Sequence, residues 1–113
     1  MLQENNFKLS IIIPVFNEEQ YLQRLFQDLI KYFDKSNTEI LIIDDGSTDR
    51  STEIIKNFKN EKKKFNFKYF RNDINSGKGF SILKGLKNCS GEYVLLQDAD
   101  LELDLKDSYK MFQ

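Results

Sequence analysis

Four apolar runs recur along the chain, and they begin at residues 9, 39, 67 and 93. The intervals of 30, 28 and 26 residues leave room for a strand and a crossover helix. We therefore predict strands over residues 9–15, 39–44, 67–71 and 93–97. The first, second and fourth runs are almost unbroken in Ile, Val and Leu, so we expect both faces of these strands to be buried.

Apolar residues at helical spacing lie between these runs and predict three amphipathic helices. Their stripes consist of Leu22, Leu25, Phe26, Leu29, Ile30 and Phe33, then Ile54, Ile55 and Phe58, then Ile82, Leu83 and Leu86. Asn17 and Asp49 are placed to cap the first two helices, and a fourth helix is predicted to begin near Leu105. This alternation predicts an α/β fold with a mostly parallel sheet and helices on both faces. A sheet that is truncated after about four strands indicates half of a domain.

The composition limits the chemistry that the chain can perform. Its 113 residues, 40% hydrophobic and 31% charged, indicate one small globular domain. A net charge of −1 provides no basic field for nucleic acid. The single cysteine, Cys89, excludes an internal disulfide, and the lack of histidine excludes His-based triads and the usual zinc sites. Catalysis must therefore use carboxylates, lysine, backbone amides and a metal ion.

Two features bear on where the protein acts. No apolar stretch reaches the roughly 20 residues that span a bilayer, and the N-terminal residues lack the pattern of a signal peptide. We therefore expect a cytoplasmic protein. Six lysines between Lys56 and Lys68 could contact anionic lipid, but lysines at the C-terminal end of a helix also suit its dipole. We favour a solvated helix face for this segment.

Polar residues cluster where the predicted strands end. The segments are residues 14–18, 44–49, 72–79 and 98–100, one after each strand. Each has a structural explanation as a turn or a helix cap. Because ligands bind at the carboxyl ends of parallel strands, the four segments together predict one binding cleft.

Asp98 and Asp100 follow the fourth run and place two negative charges on either side of a single residue, Ala99. A hard divalent cation would offset their repulsion, whereas an aspartate that caps the next helix is the structural alternative. The spacing alone leaves both explanations open. Gly77, Lys78 and Gly79 precede a predicted helix, where backbone N–H groups and the lysine charge suit a phosphate. That segment matches neither the P-loop nor the dinucleotide-binding fingerprint.

Four motifs, in their order and spacing, resemble those of family 2 glycosyltransferases, and most of all those of dolichyl- or polyprenyl-phosphate mannose and glucose synthases. They are Pro14-Val15-Phe16-Asn17-Glu18, Ile43-Asp44-Asp45-Gly46-Ser47-Thr48-Asp49, Asn75-Ser76-Gly77-Lys78-Gly79 and Gln97-Asp98-Ala99-Asp100-Leu101-Glu102. The resemblance covers residues 8–113 and identifies them as a partial family 2 domain, the nucleotide-sugar-binding half. Residues 1–7 are then an N-terminal tail.

The resemblance implies a GT-A fold and the inverting transfer of a hexose from a UDP- or GDP-hexose, with Mg²⁺ or Mn²⁺. The implied acceptor is a polyprenyl or dolichyl phosphate, or another glycan, and a lipid acceptor would place the protein peripherally at the inner face of the membrane. Pro14, Phe16 and Glu18 match the segment that lines the nucleoside pocket. Ile43 and Asp45 match the pair that contacts the base or ribose.

Further site residues follow from the same resemblance. Asp98, Ala99 and Asp100 match the DxD motif, which holds ribose, diphosphate and metal, and Glu102 matches a position beside the metal. The predicted metal ligands are therefore Asp98, Asp100 and Glu102, and Lys78 completes the predicted nucleotide-sugar site.

Two positions depart from the family pattern, because Phe16 replaces the usual tyrosine and Glu102 replaces a frequent glutamine. The resemblance also places the general base further along than Gln113, so no catalytic residue is identified. Asp104 and Asp107 follow the metal motif too closely for that role, and we interpret them as helix-start residues.

Two functional classes stay open at this point. The first is the donor-binding half of a glycosyltransferase, as a truncated product or as a gene split from an acceptor half that a second chain supplies. The second is a non-catalytic nucleotide-sugar- and metal-binding module that acts with a partner chain. A phosphoacceptor signalling domain is disfavoured, because such domains place paired aspartates after the first strand. A sugar nucleotidyltransferase would need a Gly-rich loop directly after that strand, and none is present.

Overall fold

Every predicted strand and the first three helices are present in the computed structural model, which describes residues 7–62 and 64–99. The strands are β1 (Leu9–Val15), β2 (Thr38–Asp44), β3 (Asn66–Arg71) and β4 (Tyr93–Leu96). The helices are α1 (Glu19–Tyr32), α2 (Ser51–Glu61) and α3 (Lys78–Asn88). Each strand begins and ends within one residue of the predicted position. The helix predicted near Leu105 lies outside the described residues.

The four strands form one parallel sheet in the order β3-β2-β1-β4. Ile12 at the centre of β1 is level with Leu41 of β2 on one side and Leu96 of β4 on the other. Parallel neighbours need a crossover, and each of the three helices supplies one. The predicted α/β fold with a parallel sheet is therefore confirmed.

Helices α1 and α2 cover one face of the sheet and bury the larger part of the core. Leu9, Ile11 and Ile13 point to this face, where they pack with the apolar stripe of α1. The ring of Phe26 stacks on Phe58 at 4.5 Å between centroids, and Phe67 of β3 packs edge-on against both rings. Each such side chain that is fully buried contributes about 1.5–3 kcal/mol, so this face supplies most of the hydrophobic stabilisation.

Helix α3 packs on the opposite face through small residues, and here the sequence prediction is wrong. Leu83 and Leu86, predicted to lie on the stripe that packs against the sheet, are 58% and 43% exposed. The buried residues of α3 are Ser81 and Gly85. A Cβ atom at Gly85 would lie 2.6 Å from Cγ2 of Ile12, so the helix backbone lies close to the sheet. The side chains of Leu83 and Leu86 are therefore directed outwards, whereas Ile82 is half-buried.

Strand β4 is also more exposed than the sequence predicts. Tyr93, Val94 and Leu96 are 57%, 41% and 52% exposed, although burial on both faces was expected. The physical reason is that β4 lies at the edge of the sheet, where β1 is its only partner among residues 7–62 and 64–99.

A charged cluster joins the strands at their amino ends, away from the predicted cleft. Glu39 is fully buried, and its Oε2 accepts hydrogen bonds from the Ser10 hydroxyl (2.6 Å) and the Ser90 N–H (2.5 Å). Its Oε1 lies 3.0 Å from Nζ of Lys68. Burial raises the pKa of Glu39, but the hydrogen bonds from Ser10 and Ser90 and the ion pair with Lys68 outweigh it and hold the pKa below 4.5.

The lysine-rich segment is largely exposed, which suits a solvated helix face and contact with anionic lipid equally, so the preference for a solvated face stays a prediction. The exposed lysines are Lys56 and Lys59 within α2 and Lys62 and Lys64 after it. Within the part of the chain that the structure describes, no helix is long and apolar enough to cross a membrane.

Candidate functional site

A cleft of about 300 Å³ opens at the carboxyl ends of the strands, beside the start of α3. Seven of the residues that the sequence predicted for the site line it: Pro14, Phe16, Glu18, Asp45, Lys78, Asp98 and Ala99. Val15, Asn75, Gly77 and Ser81 complete the lining. The parallel sheet thus brings segments separated by more than 80 positions in the chain to one rim.

Of the predicted site residues that the structure describes, Ile43 is the one that does not line this cleft. Ile43 is fully buried and packs in the core with Ile12 and Leu41, under α3. Asp100 and Glu102 lie outside the described residues, as do Asp104 and Asp107. The structure therefore places Ile43 in the core rather than in the cleft, and Asp98 is the one predicted metal ligand that it describes.

Asp45 ties the end of β2 to the start of α3. Its Oδ1 accepts hydrogen bonds from Nδ2 of Asn72 (2.8 Å) and the N–H of Ser76 (2.7 Å), and its Oδ2 accepts one from the N–H of Gly77 (2.9 Å). Gly77 has a φ of 102°, which favours glycine, and α3 begins at the next residue, Lys78. Asp45 therefore fixes the backbone from which the Lys78 side chain extends.

The turn after Asp45 depends on a second glycine. Gly46 has a φ of 75°, and a Cβ atom there would lie 2.8 Å from the backbone nitrogen of Asn75. The segment after β2 can therefore pack directly against the loop before α3 only with glycine at this position.

Asn72 and Ser81 support this arrangement, and the sequence analysis gave neither a specific role. Nδ2 of Asn72 also donates to the Ser81 hydroxyl (3.1 Å), and its Oδ1 accepts from Nζ of Lys84 (2.9 Å). Both Asn72 and Ser81 are buried. The sequence feature that could have identified Ser81 is its position, because a polar residue one turn into a helix, on the side that faces the sheet, needs a hydrogen-bond partner.

Asp44 lies on the other face of the sheet, because successive residues of a strand point in opposite directions. It is fully buried and accepts hydrogen bonds from the hydroxyl of Thr52, the hydroxyl of Tyr69 (3.0 Å) and Nη1 of Arg71 (3.1 Å). The N–H of Ser47 donates to it as well, at 3.1 Å. Asp44 therefore holds the loop that follows β2 from behind the cleft.

These contacts shift the pKa values of Asp44 and Tyr69. Burial raises the pKa of Asp44, but the hydrogen bonds from Thr52, Ser47 and Tyr69 outweigh it and hold the pKa below 3.8. Burial, followed by the charge of Asp44, raises the pKa of Tyr69 above 10.0. Asp44 is therefore a charged acceptor in the folded protein at neutral pH.

Hydrogen bonds join the loops before α1 and α2, which corrects the predicted role of Asn17 as a cap of α1. Oδ1 of Asn17 accepts hydrogen bonds from the N–H groups of Thr48 (2.8 Å) and Asp49 (3.2 Å), in the loop before α2. Asp49 in turn accepts from the N–H of Glu19 (3.2 Å), the first residue of α1. A left-handed backbone at Asn17, with a φ of 51°, directs its side chain across to the other loop.

Asp49 also serves its own helix, as predicted, although it stands one residue before the cap position of α2. Its Oδ1 accepts a hydrogen bond from the N–H of Ser51 at 2.8 Å. Burial raises the pKa of Asp49, but the hydrogen bonds from Ser51 and Glu19 outweigh it and lower the pKa below 3.8. The Ser51 hydroxyl accepts from the N–H of Glu18 at 2.9 Å, which adds another link between the two loops.

An ion pair between Lys78 and Asp98 lies at the mouth of the cleft. The Lys78 side chain is 59% exposed and that of Asp98 is 51% exposed, so both reach water. The Phe16 ring, 41% exposed, lines the same space. An exposed aromatic ring, carboxylates and an ammonium group at the start of a helix suit a ligand with a flat ring and a phosphate.

Among the described residues, this mouth supplies some of the oxygen ligands that a hard divalent cation needs, but not a complete set. Asp98 offers an accessible carboxylate, which is the ligand type that Mg²⁺ and Mn²⁺ prefer. No group of three or more His, Cys, Asp or Glu side chains that could hold a metal ion occurs in residues 7–62 and 64–99. Asp98 would therefore need further oxygen ligands, and Asp100 and Glu102 are carboxylates of the required type.

Comparison with known proteins gives a consistent set of relatives. Residues 10–113 match the family described as Glycosyl transferase family 2. The chain is 32% identical over 110 residues to a dolichyl-phosphate beta-glucosyltransferase from Dictyostelium discoideum, an alignment that covers 91% of this chain and 34% of the relative.

Two solved structures extend the comparison. Staphylococcus aureus TarS 1–349, in complex with UDP-GlcNAc, superposes with a TM-score of 0.81 at 34% identity, covering 94% of this chain and 30% of that one. A mannosyltransferase from Pyrobaculum calidifontis, in complex with GDP-Man and Mn²⁺, superposes with a TM-score of 0.82 at 19% identity, covering 89% and 30%. The chain thus spans about a third of the length of these proteins. The predicted GT-A fold is confirmed by these similarities.

Proposed function

This chain belongs to glycosyl transferase family 2, and from that premise we propose that its cleft binds a nucleotide-diphosphate sugar, a UDP- or GDP-hexose. The observation that carries the proposal is the lining of the cleft, which combines the exposed Phe16 ring with Lys78 and Asp98 at one mouth. Relatives of this chain are described in complex with UDP-GlcNAc and with GDP-Man.

The nucleoside lies against Pro14, Phe16 and Glu18 in this proposal. The Phe16 ring can stack on a base, although it lacks the hydroxyl that a tyrosine would add. Asp45 already accepts three hydrogen bonds, and a carboxylate has about four acceptor sites. One site therefore stays available for a base N–H or a ribose hydroxyl, which agrees with the predicted role of Asp45.

The diphosphate lies at the start of α3, where Lys78 supplies a positive charge and the first N–H groups of the helix point outwards. Asp98, with Asp100 and Glu102, would hold Mg²⁺ or Mn²⁺. When bound, such a cation acts as a Lewis acid that stabilises the leaving nucleoside diphosphate. Ala99 follows Asp98 in the lining, and its small side chain leaves room for the ligand.

The reaction that we propose is an inverting transfer of a hexose to a polyprenyl or dolichyl phosphate, or to another glycan. Support for a lipid acceptor comes from the Dictyostelium discoideum relative, whose name specifies dolichyl phosphate. A lipid acceptor would require contact with the inner face of the membrane. The general base and the acceptor-binding residues would come from the part of the family's length that this chain does not span, or from a second chain.

Calorimetry with UDP and GDP in the presence of Mn²⁺ tests the donor site. We expect Phe16→Ala to weaken binding of the nucleotide by about 1–3 kcal/mol, the range for loss of base stacking on an aromatic ring. Tyr21→Ala is a matched control, because Tyr21 is an aromatic residue with the same 41% exposure and lies on α1 outside the cleft lining. Equal effects of the two variants would contradict the proposal.

A transfer assay separates catalysis from binding. It uses labelled UDP-glucose or GDP-mannose with polyprenyl phosphate and Mg²⁺. Acceptor-dependent product supports the transferase, whereas tight nucleotide binding without product, even with the remainder of the protein present, would support the non-catalytic binding module instead.

A further inference from the structure

Lys78 and Asp98 form their ion pair across a cleft that is lined by several acids and one base. Lys78 is the one cationic residue that lines this cleft among the described residues, where Glu18, Asp45 and Asp98 are the acids. Two cations of neighbouring elements are engaged elsewhere. Lys84 donates to Asn72 at 2.9 Å, and Arg71 lies on the other face of the sheet with Asp44.

The backbone and the side chain of Lys78 differ in how firmly they are held. The preceding residue, Gly77, is fixed by its hydrogen bond to Asp45, and α3 begins at Lys78 itself. The ammonium group sits at the end of a flexible chain that is 59% exposed. An ion pair between exposed groups contributes little to stability, so it exchanges partners readily.

From these contacts we propose that Lys78 is an exchangeable counter-ion of Asp98. In the empty cleft the ammonium group neutralises Asp98, and on donor binding it moves to the diphosphate and leaves the carboxylate free to act as a cation ligand. This inference rests on the proposed donor site. Lys78 can neutralise either the Asp98 carboxylate or the diphosphate, but not both. The chain therefore binds a cation weakly before the nucleotide is bound and more tightly afterwards.

The coupling is reciprocal, because a nucleotide that strengthens cation binding must itself bind more tightly when the cation is present. A lysine at this position therefore favours simultaneous occupation of the cleft by both ligands. Removal of the charge should separate the two binding events.

Calorimetry with Mn²⁺ alone, with UDP or GDP alone, and with both ligands tests the exchange. Lys78→Met keeps the length of the side chain and removes its charge. We expect it to bind Mn²⁺ alone about 2–5-fold more tightly than the unmodified protein, the range that corresponds to an exposed ion pair. We expect it to bind nucleotide alone more weakly, so that nucleotide enhances Mn²⁺ affinity less than in the unmodified protein.

Two further variants make the result specific. Lys78→Arg keeps the charge and should retain the weak binding of Mn²⁺ alone. Lys87→Met removes a lysine from the last turn of α3, outside the cleft lining, and should change none of the three affinities. Circular dichroism checks that each variant is folded, and Lys78→Ala serves if the methionine variant is not.

Unchanged or weaker binding of Mn²⁺ alone by Lys78→Met would overturn the exchange without contradicting the proposed donor site. A different result would overturn the donor site itself: no binding of UDP or GDP by the unmodified protein, even with Mn²⁺. The two failures are distinguishable, because the first measurement contains no nucleotide.

Discussion

Asp44 and Asp45 are neighbours in the chain, but their carboxylates lie on opposite faces of the sheet. Asp44 accepts hydrogen bonds from Tyr69 and Arg71 behind the loop that follows β2. Asp45 lines the cleft and accepts from the loop before α3. Asp44 therefore stabilises the loop that follows β2, whereas Asp45 lies in the candidate ligand site in front of that loop.

The first prediction follows from this division. Asp45→Ala should weaken binding of UDP or GDP by about 1–3 kcal/mol through loss of a charged acceptor. Asp44→Ala should reduce affinity less, and should mainly lower the free energy of unfolding. Calorimetry at a temperature where both variants are folded, with urea unfolding beside it, measures the two effects. If Asp44→Ala had the larger effect on affinity, the carboxylate at the site would have been assigned wrongly.

Acid should destabilise the protein through its buried carboxylates. The pKa values of Asp44 and Glu39 are lowered in the folded state from ordinary values of 3.8 and 4.5. Their stabilisation is therefore complete above those ordinary values and is lost as the pH falls through the lower folded ones. We expect the free energy of unfolding to fall between about pH 5 and pH 2.

Asp44→Asn is the variant that isolates one contribution to this acid dependence. It should be less stable than the unmodified protein at pH 7 and should lose stability less steeply on acidification, because one titrating group is gone. Urea unfolding at several pH values measures both slopes. Parallel slopes would show that Asp44 does not contribute.

Two glycines of α3 should respond oppositely to alanine. Gly85→Ala places a methyl group 2.6 Å from Ile12, and such overpacking costs about 1–3 kcal/mol. Gly79→Ala meets nothing within 4 Å and should stabilise the helix by about 0.5–1 kcal/mol. Thermal and urea unfolding provide the comparison, and a neutral Gly85→Ala would mean that α3 does not lie as close to β1 as described.

The edge of β4 should promote self-association of the 113-residue polypeptide. Its exposed apolar side chains accompany an edge that no other described strand pairs with, and such edges recruit further strands. Val94→Lys should reduce the average mass measured by analytical ultracentrifugation without loss of the fold. Leu83→Lys, on the exposed side of α3, is the matched variant. A decrease with Leu83→Lys alone would locate the association on the helix instead of the strand edge.

The sequence predicted the strands closely because parallel strands buried in a sheet leave continuous apolar runs, as Ile11, Ile12 and Ile13 do. It also predicted that the residues after β1, β2 and β4 meet, since the carboxyl ends of parallel strands share one edge. The packing of α3 was not predictable in the same way. Its apolar residues suggested a stripe, whereas the small size of Ser81 and Gly85 decides which side lies against the sheet.

The helix caps were predicted only in part, for a different reason. Capping by Asn17 was expected within its own helix, because caps usually bond to residues two or three positions further along. The left-handed backbone of Asn17 and the closeness of two loops about 30 positions apart are tertiary properties that local spacing does not reveal. Ligand contacts by the cleft residues stay predictions.

The hydrogen bonds between the loops before α1 and α2 also constrain how this rim can be re-engineered. Asn17 bonds to Asp49 and Asp49 to Glu19, so each loop supplies the acceptors that the other loop requires. An insertion or a transplanted sequence in one loop would leave unpaired N–H groups in the loop before α2 and at the first residue of α1. A graft that exchanges nucleotide preference with a relative would therefore have to transfer both loops together. Substitutions at the bonded positions of one loop should be tolerated only when the other loop changes with them.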